Sequence, residues 1–159
     1  MPRRRRPRLR VPERSPLDAG LGLLARREHS VAEMRGKLAA RGYGAGEVEE
    51  ALQALAARGL LSDARFADVF SRSRRERGQG PLKIRAQLMR RGVSAGLIDA
   101  ALDGAEADWG RCASAARRTR FGGPPPADHS ERARQARFLQ GRGFSSGQVA
   151  QALLSDPQP

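Results

Sequence analysis

The sequence predicts an all-α protein, an elongated right- or left-handed array of three tandem three-helix repeats of about 50 residues each. Alanine and leucine number 26 and 17, whereas valine, isoleucine and threonine total nine, which favours helices over strands. One motif occurs three times at nearly equal spacing. Leucine, isoleucine, valine and phenylalanine are only 30 of the 159 residues, which suits a repeat layout that needs little core.

The repeated motif is 15 residues long and lies at 38–52, 88–102 and 139–153. Leu, Arg, Gly, Gly, Ala and Leu hold the same places in every copy. Each copy predicts a helix that ends at a glycine in the left-handed conformation, followed by a second helix. The predicted structural turns are therefore Gly42, Gly92 and Gly143.

Repeat 1 is predicted at 17–59, with a weak first helix at 17–28. Ser30 and Glu33 form a capping box that begins the middle helix. The side chains expected to face inward along the middle and last helices are Val31, Met34, Leu38, Val48, Ala51, Leu52 and Leu55.

Repeat 2 is predicted at 60–104. Its first helix begins at Ser62 or Asp63 and ends at Gly78, and Gly80 with Pro81 begins the next one. The residues expected on the inner side of the first helix are Phe66, Val69, Phe70 and Ser73. Those expected to face inward on the other two helices are Ile84, Leu88, Ile98, Ala101 and Leu102.

Repeat 3 is predicted at 105–155, with a helix at 105–121, a Gly-Pro linker and a capping box of Ser145 with Gln148. Outside the repeats, 1–16 is predicted to be a disordered arm because it holds seven arginines and little apolar content. Residues 156–159 are a short tail.

The net charge of +13 predicts a polyanionic partner, and the excess is segregated along the chain. Residues 65–91 carry +7 and 111–142 carry +6, whereas 92–110 carry −4. Arginine predominates, and its planar fork binds phosphate or carboxylate bidentately. A solvated helix face is the alternative interpretation. The candidate filament- or DNA-binding residues are Arg65, Arg72, Arg74, Arg75, Arg77, Lys83, Arg85, Arg90, Arg91, Arg117, Arg118 and Arg120.

No set of residues predicts catalysis, a cofactor or a metal. Cys112 is the single cysteine, and it is expected to pack with Trp109 on one helix. His29 and His129 are expected on the surface at helix starts. The GYGAG segment recurs as GVSAG and GFSSG with no preceding strand, so it is an interhelix turn rather than a dinucleotide loop. No apolar run reaches membrane-spanning length, no secretory signal is recognised, and a cytoplasmic protein is expected.

Residues 60–93 resemble the signature of the RecX family, bacterial regulators of the RecA recombinase. The matching positions are Arg65, Phe66, Ala67, Arg74, Gly78, Gly80, Pro81, Ile84, Leu88, Gly92 and Val93. Repeat 1 resembles the family through 24–30 and through Glu33, Leu38 and 41–43. Repeat 3 resembles it through 142–145, so the resemblance covers 17–155.

The resemblance implies a negative regulator of RecA, and not an enzyme. Such proteins are three-helix-repeat solenoids that bind in the groove of the filament formed by RecA and single-stranded DNA. They inhibit its ATPase, strand-exchange and co-protease activities, and so modulate DNA repair and the SOS response. The expected partners are this filament and single-stranded DNA, with double-stranded DNA left open, and the expected state is a monomer. The alternative is a general nucleic-acid-binding helical protein that competes for DNA.

Overall fold

A computed structural model describes residues 13–104 and 108–154. These residues form nine α-helices and no strand. The helices are α1 (Pro16–Leu24), α2 (Val31–Ala40), α3 (Ala45–Ala57), α4 (Asp63–Glu76), α5 (Pro81–Arg90), α6 (Ala95–Leu102), α7 (Trp109–Phe121), α8 (His129–Arg142) and α9 (Ser146–Leu154). The prediction of an all-α fold built from three sets of three helices is confirmed.

Several helices begin where a side chain caps the free backbone N–H groups of the first turn. Ser30 Oγ accepts from the backbone N–H of Glu33 at 3.0 Å, as the predicted capping box requires. At α9, Ser145 Oγ accepts from Gln148 N–H at 3.3 Å and Gln148 Oε1 accepts from Ser145 N–H at 2.8 Å. Local sequence therefore sets these helix starts.

Glycines with positive φ follow helices α2, α5 and α8. The φ angles of Gly42, Gly92 and Gly143 are 92°, 76° and 95°. Residues with a Cβ rarely adopt this conformation, which explains why glycine occupies the same place in each copy of the motif.

The chain divides into two compact units, with the boundary inside α4 between Phe66 and Ala67. In the first unit, α1 and α2 pack against α3. Its buried core is Ala19, Leu23, Met34, Leu38, Val48, Ala51, Leu52, Leu55 and Leu61. Val31 is only partly buried.

One expectation for the first unit is wrong. His29 precedes α2 but is buried, with 2% of its surface exposed, rather than lying on the surface. Its Nδ1 lies 2.9 Å from the carbonyl oxygen of Arg27. Burial, followed by the nearby positive charge of Arg27, lowers the pKa of this imidazole from its ordinary value.

The core of the second unit comes from all of its helices. Its buried apolar residues include Ala67, Ile84, Leu88, Val93, Ile98, Leu102, Ala113, Leu139, Phe144, Val149 and Ala152. Trp109 and Cys112 pack against the part formed by α7, α8 and α9, as predicted. The predicted inner face of α4 is partly wrong, because Val69 is 48% exposed whereas Ala67 and Ser71 are buried.

Within the second unit, the start of α5 meets the end of α8. Gly80 N–H donates to Arg142 O at 2.8 Å, and Leu82 N–H donates to Gly143 O at 3.0 Å. Donors left free at one helix N-terminus thus satisfy carbonyls left free at a C-terminus. A Cβ on Gly80 would lie 2.4 Å from the Gly143 backbone, so the contact requires glycine.

Parts of the predicted outline lie outside the described residues. These parts are 1–12 of the arm, 105–107 at the start of repeat 3, and the tail. Two arm residues belong to the start of α1, since Pro16 is its first residue and Ser15 Oγ caps Asp18 N–H at 3.1 Å. Among the described residues, no helix has the length and apolar character needed to cross a bilayer.

Candidate binding surface

Four of the predicted cations of the second unit lie on helix α4 or directly after it. Arg72 is exposed, Arg74 and Arg75 are half-buried, and Arg77 directly follows the helix. Neither Arg72 nor Arg75 has an ion-pair partner among the residues that the structure describes. Their charge is therefore available to an external anion.

Arg72 and Arg75 line a groove of about 380 Å³ between α4, the end of α6 and the start of α7. We call this the α4/α7 groove, and its lining is Asp68, Ser71, Arg72, Arg75, Ala100, Ala101, Gly104 and Trp109. The indole of Trp109 is fixed by a hydrogen bond of 3.2 Å from its Nε1–H to the carbonyl oxygen of Leu102.

A second groove, of about 550 Å³, shares Arg75 with the first. Arg77, Arg142 and Cys112 also line it. Burial raises the pKa of the Cys112 thiol, which keeps it neutral and agrees with a packing role.

Two of the predicted cations make stacking contacts. The guanidinium carbons of Arg74 and Arg91 lie 4.8 and 4.7 Å from the centre of the Phe70 ring. Such cation–π contacts fix the position of the side chain. Arg91, directly after α5, therefore helps to hold α5 to α4, whereas Arg74 stacks on a ring of its own helix.

Helix α5 presents both charge and apolar surface. Arg85 pairs with Asp99, and Lys83 Nζ donates to Gly141 O at 3.3 Å, whereas Arg90 is exposed with no ion-pair partner among the described residues. Leu82 and Met89 are 56% and 61% exposed. They are seven residues apart and so lie on one side of the helix.

Arg117 does not belong to the surface, so the structure corrects its prediction as a binding residue. It is only 1% exposed. Its guanidinium donates to Pro124 O at 2.9 Å and to Gly123 O at 3.1 Å, and so holds the linker that follows α7. Burial, followed by the nearby charge of Arg118, lowers its pKa from the ordinary value.

The other predicted cations lie in different settings. Arg65 belongs to the first unit, where its Nε donates to Glu28 at 2.6 Å and its other nitrogens donate to Gly59 O and Leu60 O. Its charge is thus neutralised within that unit. On α7, Arg118 and Arg120 are exposed, and Arg120 lies over the Phe121 ring at 5.5 Å.

Sequence reasoning missed the role of Arg142. Its Nε donates to Gly78 O at 3.1 Å and its Nη2 donates to Arg77 O at 2.5 Å, just beyond the end of α4. A cation at helix C-terminal carbonyls is stabilising. The available signal was its place in the motif, where Arg41, Arg91 and Arg142 all precede the turn glycine.

The fold and this surface define the class of the protein. It is an all-α protein of three tandem three-helix domains, and some arginines on its described helices have no ion-pair partner there. Sequence comparison identifies the family. The first three-helix domain of RecX matches residues 17–55, the second matches 62–102 and the third matches 106–153. The chain belongs to the RecX family of regulatory proteins.

Individual relatives agree with this assignment. A Regulatory protein RecX of Halorhodospira halophila is 55% identical over 138 residues, which are 87% of this chain and 86% of that protein. One of Chromohalobacter salexigens is 48% identical over 141 residues, which are 89% and 92% of the two chains.

Solved structures support the fold. The crystal structure of RecX from Lactobacillus salivarius superposes with a TM-score of 0.74, at 17% identity, over 87% of this chain and 92% of that one. A second crystal structure of a regulatory protein RecX gives a TM-score of 0.69 at 20% identity, over 85% of this chain and 68% of that one.

Proposed function

We propose that this protein is a negative regulator of the RecA recombinase. It binds the filament of RecA on single-stranded DNA and inhibits the ATPase, strand-exchange and co-protease activities, which modulates DNA repair and the SOS response. The observation that carries the proposal is the match of all three RecX domains along one chain. Inhibition by occupancy requires no catalytic group or cofactor, and we expect a monomer that acts in the cytoplasm.

The character of the second unit supports a filament as the partner. A nucleoprotein filament offers phosphates and protein surface side by side. Arg72, Arg75 and Arg90 have no ion-pair partner among the described residues, and Leu82 and Met89 add exposed apolar area on α5. Cations alone would suit phosphate, whereas apolar side chains beside cations suit a protein surface with acidic groups.

The test is the DNA-dependent ATPase of the host RecA, titrated with this protein from far below stoichiometry at two salt concentrations. Met89→Ser/Arg90→Glu changes the exposed side of α5. Leu154→Ser/Arg137→Glu is the matched control, because it likewise replaces an apolar side chain by serine and an arginine by glutamate, at exposed positions of α9 and α8. Circular dichroism checks that both variants stay helical.

We expect substoichiometric inhibition by the wild type and the control, and at least a tenfold weaker effect of the α5 variant, equivalent to about 1.4 kcal/mol. Equal inhibition by both variants would show that this side of α5 does not contact the filament. No inhibition by the wild type at any ratio would reject the proposed function.

General nucleic-acid binding is a second candidate, favoured by the arginine-rich sequence before α1. Residues 1–12 hold six arginines and no acidic residue. Under this alternative, inhibition occurs only when the protein can coat the DNA, and it disappears with salt or on deletion of 1–12. A deletion should stop at residue 12 because Tyr43 Oη donates to Arg14 O at 2.7 Å and Ser15 caps α1.

A further inference from the structure

We propose that the α4/α7 groove is a binding site for single-stranded nucleic acid, in which Arg72 and Arg75 hold a phosphate and Trp109 stacks on a neighbouring base. This deepens the proposed function, because it names the DNA-contacting site of the second unit. The groove volume of about 380 Å³ lies within the range of about 300–1,000 Å³ found for small-ligand sites.

Two guanidinium groups supply the positive charge of the groove. Arg72 and Arg75 are three residues apart on α4, so they lie on one side of the helix. Both line the groove, and neither pairs with a carboxylate among the described residues. Asp68 also lines the groove but makes no ion pair with either arginine among the described residues. The planar fork of arginine binds phosphate bidentately.

A buried hydroxyl supplies a further donor. Ser71 is only 5% exposed and lines the groove, and its Oγ has no hydrogen-bond partner in the described structure. A buried hydroxyl without a partner is costly. A phosphate oxygen held between Arg72 and Arg75 would accept from this hydroxyl.

The aromatic wall is Trp109, the single tryptophan of the chain. Its ring is half-buried and fixed through the bond to Leu102 O. The lining near it is small, namely Ala100, Ala101 and Gly104. A fixed indole beside unpaired arginines is the combination that binds single strands, because each base presents a flat face that can stack.

The same features favour a single strand over other anions. An acidic peptide would use Arg72 and Arg75 but would have no ring to stack on Trp109. In a duplex the base faces are stacked on one another, so the phosphates remain but no face is free to stack on Trp109. The site should therefore prefer a flexible single strand.

The test uses the fluorescence of Trp109 in the full chain. Oligothymidylate is added under excitation that selects tryptophan, with a duplex of equal length and polyglutamate in parallel. We expect saturable quenching by oligothymidylate, and at least tenfold weaker binding of Arg72→Ala/Arg75→Ala. Arg132→Ala/Arg137→Ala, at exposed positions of α8, is the control that keeps wild-type quenching.

A second variant tests the sign of the electrostatics. Asp68→Asn removes the carboxylate from the groove lining, so it should bind oligothymidylate several-fold more tightly. Absence of quenching, quenching unchanged in Arg72→Ala/Arg75→Ala, or equal quenching by polyglutamate would each overturn the groove assignment.

The ATPase assay distinguishes this failure from failure of the proposed function. Wild-type inhibition without quenching by oligothymidylate would reject the groove and leave the proposed function standing. Quenching that depends on Arg72 and Arg75, with no inhibition of RecA at any ratio, would support the groove and reject the proposed function.

Discussion

At the scale of single residues, two glycines set how closely α5 and α8 approach. The Gly80 position faces the backbone of Gly143, and a Cβ on Gly143 would lie 2.3 Å from Lys83 Cβ. Neither neighbour is the flexible end of a side chain. The Gly-x-Gly-Pro sequence at 78–81 therefore has a packing role besides beginning α5.

We predict that Gly80→Ala lowers the free energy of unfolding by about 1–3 kcal/mol, the usual cost of overpacking. Gly96→Ala is the control, because a Cβ there meets no atom within 4 Å and alanine favours the helix. Urea denaturation followed by circular dichroism measures both. Equal stability of the two variants would show that α8 can move away at no cost.

Arg117 shows that an arginine in a basic segment can be structural. Its guanidinium holds two linker carbonyls, and shortening it would leave Pro124 O and Gly123 O without these donors. We predict that Arg117→Ala lowers the free energy of unfolding by about 2–4 kcal/mol. Arg118→Ala, at the exposed neighbouring position, should leave it within about 0.5 kcal/mol of the wild type, and thermal unfolding compares the two.

At the scale of elements, the sequence predicts the helix ends better than the buried faces. The capping pairs Ser30 with Glu33 and Ser145 with Gln148, and the glycine turns, depend on residues close in the chain, so local chemistry defines them. Burial depends on residues far apart in the chain. On α4 the buried side carries the small side chains of Ala67 and Ser71, whereas Val69 lies on the exposed side.

For the candidate site, too, the sequence predicts what depends on nearby residues but not what depends on residues far apart in the chain. The excess of positive charge over 65–91 is visible in the sequence, because it requires only counting. The sequence does not show which of these cations are left without an ion-pair partner. In the folded protein, Arg65 and Arg85 form ion pairs with carboxylates and Arg117 is buried. The groove beside Trp109 requires α4, α6 and α7 together, and no local pattern predicts it.

His29, in the segment before α2, is expected to make the free energy of unfolding depend on pH. Burial lowers the pKa of His29, so its folded-state pKa lies below its unfolded value of about 6.5. Between these two values the unfolded chain binds the additional proton, and the free energy of unfolding must therefore fall as the pH falls through this window. Above about pH 6.5 the imidazole is neutral in both states and the effect vanishes.

The measurement is urea denaturation at about pH 7.5 and about pH 5.5, on either side of the ordinary histidine pKa. His29→Gln should lose less stability between the two conditions than the wild type does. His129→Gln, at an exposed position of α8, should behave as the wild type. An identical loss in all three proteins would show that His29 does not control this dependence.

At the scale of the whole molecule, the positive charge is divided between residues 1–12 and the rest of the chain. Residues 1–12 hold six of the 30 basic residues, while most of the remainder lies in 65–91 and 111–142. Phosphate contacts from either part weaken with salt in proportion to their number. A surface that is specific for the filament requires cations held at fixed positions by the fold, whereas a run of consecutive arginines binds any polyanion.

The last prediction follows from this division. Deleting 1–12 should reduce the slope of log affinity against log salt on single-stranded DNA by up to about 4, because each phosphate that an arginine neutralises adds about 0.7 to that slope. Fluorescence anisotropy of a labelled oligonucleotide measures the slope. Inhibition of the RecA ATPase at moderate salt should persist in the deleted protein, because the cations of α4 and α5 remain. A fall in inhibition that parallels the fall in DNA affinity would instead favour competition for DNA.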